Sequence, residues 1–190
     1  MSRRVLLAAV SIVTLTTCEA SETKPSTPPD PTPGTQQTWL CGREYVNMAW
    51  GYRRRGAVLD TQGAIWRYDF KSSPTAFVNP WGPKDVSNMS EEELKLRYNG
   101  ATKTDAKVPA EEIARHLPLI AEAADATPPQ PKSVGADMGQ NLLYCYTYDP
   151  AARTYAQVML DNKGDWESTN PSPAAKTLAA WLDSRLGEVK

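Results

Sequence analysis

Between Ser21 and Gln37 the chain reads SETKPSTPPDPTPGTQQ, five prolines among hydroxyl, amide and charged residues with no large apolar side chain. Such a stretch has nothing to bury, and each proline removes a backbone donor. It is expected to stay extended, partly polyproline II, as a spacer of about 3 Å per residue. This feature divides the 190 residues into a short N-terminal segment and a remainder of about 150 that must hold the fold. The remainder is long enough for one sizeable core and hardly for two. With 41% hydrophobic and 23% charged residues over its 190 positions, the whole chain belongs among those that fold in water. Twenty-one Lys and Arg against 22 Asp and Glu give a net charge of −1, without the basic excess that phosphate backbones require, so nucleic acid is not an expected partner.

Arg3 and Arg4 precede the apolar run Val5 to Val13, and Thr14 to Cys18 close the segment. A charged start followed by a short apolar stretch is the pattern of an export signal. The run falls well short of the roughly 20 residues a membrane-spanning helix needs. Leu15-Thr16-Thr17-Cys18 resembles the lipobox of bacterial lipoproteins, with Thr17 standing where that pattern has Gly, Ala or Ser. The resemblance implies a signal peptide over residues 1–17, diacylglycerol and acyl chains such as palmitate on Cys18, and a tether over 18–37. It also implies a membrane partner through the lipid, and Glu19, which is not the Asp of inner-membrane retention, points to the outer membrane. The alternative is plain secretion with cleavage after Ala20, where Cys18-Glu19-Ala20 puts small residues at both inspected positions.

Once Cys18 is lipidated or discarded, Cys41 and Cys145 remain as an even pair in an oxidising compartment, and a disulfide between them is expected. Closing a loop of about 100 residues would stabilise the fold by about 4–5 kcal/mol in the chain-entropy model.

Residues 38–190 predict one α+β domain: an antiparallel sheet from two hairpin regions, with three helices. Tyr45–Trp50, Gly56–Leu59 and Ala64–Phe70 have strand character, the last placing Trp66, Tyr68 and Phe70 on one face and Arg67 and Asp69 on the other. Asp60-Thr61-Gln62-Gly63 supplies a hairpin turn with Gly63 at its left-handed position. Ser90 and Glu93 have capping-box spacing and open a first helix that Gly100 can end. A second starts near Pro109 with the stripe Ile113, Leu117, Ile120 and Ala124, and Pro118 is expected to kink or split it. Leu142–Tyr148, Thr154–Leu160 and a strand around Trp166 follow. A last helix is opened by Ser172 and Pro173, with Ala175, Leu178, Leu182 and Leu186 facing inward. Val58–Gly63 and Met159–Gly164 share a Leu-Asp-x-x-Gly pattern, a weak hint of a two-fold internal repeat. The Trp-Gly, Leu-Asp-x-x-Gly and Gly-Asp-Trp stretches resemble those of uncharacterised bacterial secreted domains, which implies no activity.

Chemistry is thinly signalled. His116 is the one histidine and sits beside an apolar stripe, as structural histidines do. No Gly-x-Ser-x-Gly elbow is present, and two distant cysteines with one histidine make a poor zinc set, so neither metal nor cofactor is expected. Asp60, Asp69, Asp161 and Asp165 lie in or near hairpins and could serve a small secreted hydrolase acting on glycans through paired carboxylates, if they shared a deep aromatic-lined pocket. Arg53, Arg54 and Arg55 fall at an expected turn, where they would solvate it or meet an anionic partner. Trp39 and Trp81 stand in linker-like or Pro/Gly-rich surroundings and are the candidate exposed aromatics. The function expected is a membrane-tethered envelope lipoprotein whose domain binds a protein or polysaccharide rather than catalysing. The hydrolase and an inhibitor or immunity-like module are the alternatives.

Overall fold

The computed structural model describes residues 37–49, 51–71 and 87–187. The signal segment with Cys18, the tether before Gln37, Trp50 and Trp81 lie outside the described residues. β1 (Trp39–Asn47), β2 (Arg53–Asp60) and β3 (Ala64–Phe70) form an antiparallel meander. The β2–β3 turn has Gly63 at φ +84°, and a Cβ there would stand 2.2 Å from the Val108 carbonyl oxygen. The turn therefore requires glycine for both conformation and space.

β4 (Ser87–Ser90) leads into α1 (Glu91–Arg97), where Ser90 and Glu93 form the expected capping box. β5 (Thr102–Lys107), α2 (Ala110–Ala124), β6 (Lys132–Ser133), β7 (Gln140–Asp149), β8 (Thr154–Gly164), β9 (Trp166–Thr169) and α3 (Pro173–Leu186) follow. The nine strands make one sheet in the order β5-β3-β2-β1-β7-β8-β9-β6, with β4 also on β8, so β1 and β7 join the two hairpin regions at its centre. The α+β architecture with three helices is as expected.

Cys41 and Cys145 are cross-strand partners at that junction and are disulfide-bonded across 104 residues of sequence. On one face α2 and α3 close a core of Leu40, Leu59, Ile65, Leu160, Leu178 and Leu182. On the other, α1 presses Leu94 and Tyr98 against Val58, Tyr144, Tyr146 and Tyr155.

Several sequence expectations are corrected. β1 starts at Trp39 because both Trp39 and Leu40 are buried, one in each core. α2 is unbroken at Pro118: Ala114 and Pro118 are on its exposed side, so the carbonyl that loses its bond can face water. Its inward stripe is Ile113, Ile120 and Ala123, and Leu117 is exposed. Asp161 to Gly164 continue β8 where a turn was expected. Asp161 thus pairs with Leu143 and Thr169, whereas Asp60 ends a strand at a hairpin turn. The shared Leu-Asp-x-x-Gly pattern occupies different structural positions and marks no repeat.

Candidate functional site

The arginine triplet opens β2, and strand alternation separates its members. Arg53 and Arg55 share the face that carries α3, while Arg54 points to the opposite side and is fully buried. There its Nε donates to Glu44 Oε2 at 2.7 Å, and Arg97, from the last turn of α1, donates to Glu44 Oε1 at 2.6 Å. Tyr68 also donates to Oε2 at 2.8 Å, and Arg54 Nη1 donates to the Arg97 carbonyl oxygen at 2.8 Å. The Arg54 guanidinium lies 4.8 Å from the Tyr68 ring centre and 5.4 Å from that of Tyr98.

Burial alone would push the Glu44 carboxyl up. The two guanidiniums and the Tyr68 hydroxyl outweigh it and hold it down at about 2. Burial, reinforced by the Glu44 charge, drives the Tyr68 hydroxyl well above the ordinary phenol range. A permanently ionised carboxylate between two arginines rivets α1 to β1 and β2. It offers no proton near neutrality.

Trp39, expected as an exposed aromatic, is 8% exposed and packs against Tyr98 with ring centres 4.8 Å apart. Its strand position places the ring in the aromatic core, so neither it nor Arg54 is available to an external ligand. Among the described tryptophans the exposed one is Trp166, at 47%. It neighbours Val134 and Met138 in a loop whose backbone is pinned by Asp165, which accepts from Met138 N at 2.8 Å and Gly139 N at 3.2 Å.

The other aspartates are also structural acceptors. Asp60 takes Gln62 N, Ala64 N and Trp66 Nε1; Asp69 takes Arg53; Asp161 takes Thr169 Oγ1 at 2.7 Å and Lys163 at 2.6 Å. Asp60 ends β2 at the hairpin turn, Asp69 lies near the far end of β3, and Asp165 follows β8, four strands from β3 or roughly 19 Å across the sheet. The aspartates do not converge on one pocket. His116 stacks on Trp181 at 4.2 Å between ring centres, with Nδ1 2.8 Å from the Glu112 carbonyl oxygen, inside the α2–α3 seam.

The sheet face beside α3 remains open at the end where β1 finishes, and two rows of side chains cross it. One runs Arg67, Ala57, Arg43, Leu143, Asp161, Thr169; the next runs Asp69, Arg55, Tyr45, Asn141, Lys163. Arg43 holds the C-terminal half of α3 by donating to Asp183 at 2.8 Å and to the Gly187 carbonyl at 3.1 Å, and Arg67 donates to the Leu186 carbonyl. These cations satisfy the helix's last carbonyls and complement its dipole. Between α3 and β8 lies a cleft of about 670 Å³, floored by Leu143, Leu160, Ala175 and Ala179 and edged by Lys163, Lys176 and Asp183. Arg55 lies over the Tyr45 ring at 5.0 Å, and Tyr45 OH donates to the Met138 carbonyl, joining this face to the Trp166 loop.

No family model, curated protein or solved structure matches the chain. Sequence reasoning nominated Arg53 to Arg55 together, yet one belongs to the buried centre and two to the open face. It missed Glu44, Arg97 and the cleft. The alternation of β2 was the signal that could have divided the triplet. Nothing in the sequence links Glu44 to Arg97, 53 residues away.

Proposed function

We propose that the chain is an exported, lipid-tethered binding module of the bacterial envelope, anchored through Cys18 and presenting the open sheet face beside α3 to a partner. The observation that carries this reading is the Cys41–Cys145 disulfide between the two central strands, because such bonds persist in oxidising compartments and are rare in the cytosol. Among the described residues no helix is long and apolar enough to cross a membrane. The rows of the open face cross β1 at Arg43 and Tyr45, roughly 13–20 Å along the strand from its first residue, Trp39. The concave cleft, with an aliphatic floor and few charged groups at its edge, has the dimensions of a binding site.

Replacing Cys18 with Ser in the native host tests the reading. The wild-type protein should fractionate with membranes and the variant should be soluble outside the cytoplasm. Equal partitioning of the two proteins would overturn it.

A further inference from the structure

We propose that the open face beside α3 takes an acidic, extended polypeptide segment of a partner protein, with one aliphatic side chain entering the cleft. This rests on the binding-module reading above and adds the chemistry of its partner. Among the described residues the face gathers Arg43, Arg53, Arg55, Arg67, Lys163 and Lys176 against Asp69, Asp161, Glu167 and Asp183, on a chain whose net charge is −1. Most of these cations are committed: Arg53 to Asp69, Lys163 to Asp161, Arg43 to Asp183, and Arg67 to the Leu186 carbonyl.

Arg55 and Lys176 form no ion pair among the described residues, and Arg55 Nε is buried without a hydrogen-bond acceptor. Asp69, the cross-strand neighbour of Arg55, is turned to Arg53. The Arg55 side chain as a whole is partly exposed, so a carboxylate brought to its guanidinium would form an ion pair that no described residue supplies.

The cleft decides between anionic partners. Its floor is Leu143, Leu160, Ala175 and Ala179, aliphatic throughout, and suits a Leu, Ile or Met side chain. Sugar rings stack on aromatic faces, yet one face of the Tyr45 ring is already covered by the Arg55 guanidinium. A recess beside a helix does not fit a flat bilayer. Arg55 and Lys163 stand in one row, three strands or roughly 14 Å apart, the span of about four extended residues. Acidic side chains on both sides of an aliphatic one can therefore reach Arg55 and Lys163 together, the exposed Lys163 ammonium being shared with Asp161.

Titration of the ¹⁵N-labelled protein with the capped peptide Glu-Glu-Leu-Glu-Glu, followed by NMR, tests this. The amides of Tyr45, Arg55, Asn141, Lys163 and Ala179 should shift at millimolar peptide or below. Arg55→Glu and Ala179→Arg, both partly exposed and checked for folding by circular dichroism, should each weaken binding at least tenfold. Lys103→Glu, on β5, should leave it unchanged. The assignment is overturned by no shifts with the acidic peptide, by an equal response to Lys-Lys-Leu-Lys-Lys, or by oligogalacturonate or anionic phosphatidylglycerol vesicles moving these amides where the peptide does not. A soluble, unlipidated native protein that still binds the peptide would fail the tether alone. A lipidated protein that ignores the peptide would fail this inference alone.

Discussion

Arg97, at the end of α1, donates to Glu44, in the middle of β1, across 2.6 Å, with the carboxylate wholly buried and the guanidinium 6% exposed. Arg54 completes the group from the adjoining strand, so one carboxylate serves two cations that are almost wholly buried. Glu44→Gln would remove the negative charge that faces both guanidiniums and should cost about 3–5 kcal/mol, read as a lower urea midpoint with an unchanged slope.

The same carboxylate sets an acid limit. Its folded value near 2 lies below the ordinary 4.5, so its stabilisation is fully present above about pH 4.5 and is lost as the pH falls toward 2. The loss should reach about 3 kcal/mol across that window. Urea midpoints of the wild type should fall between pH 5 and pH 2 more steeply than those of Glu44→Gln. Parallel profiles would contradict the assignment.

Reduction of Cys41–Cys145, or Cys41→Ser with Cys145→Ser, should lower stability by about 4–5 kcal/mol, because the unfolded chain regains the freedom of a loop of 104 residues. The check is a denaturation curve with and without dithiothreitol. The double serine variant should no longer respond to the reductant.

Gly42 gives the Tyr144 ring its place: a Cβ there would lie 2.6–2.8 Å from the tip of that fully buried ring. Gly42→Ala should therefore destabilise by about 1–3 kcal/mol through overpacking. Calorimetry should show a lowered Tm, with the disulfide still formed.

Asp165→Ala removes the acceptor for Met138 N and Gly139 N. The amides of these residues should exchange with solvent at least tenfold faster, whereas those of Tyr144 and Cys145, deep in the sheet, should not change.

The legible parts of this fold were those encoded by neighbours in sequence. The Asp60–Gly63 turn, the Ser90–Glu93 capping box and the Ala175–Leu186 stripe each lie within a few turns of chain, and each forms as expected. What escaped depends on distant residues. β5 is a polar edge strand, exposed at nearly every position, so no apolar period announces it. Arg54 looks like a solvated charge until Glu44 and Arg97 are brought to it. Trp39 looks like a linker residue until Tyr98, 59 positions on, covers it. The open face shares this difficulty, since its two rows draw single residues from five or six strands.

Tether and disulfide both depend on delivery across a membrane, and the intact mass of the protein purified from its native host tests that directly. The predicted result is a chain beginning at Cys18, carrying a diacylglyceryl group and acyl chains, and lighter by two hydrogens for the Cys41–Cys145 bond. A chain beginning at Met1 or Ser2 with free thiols would contradict it.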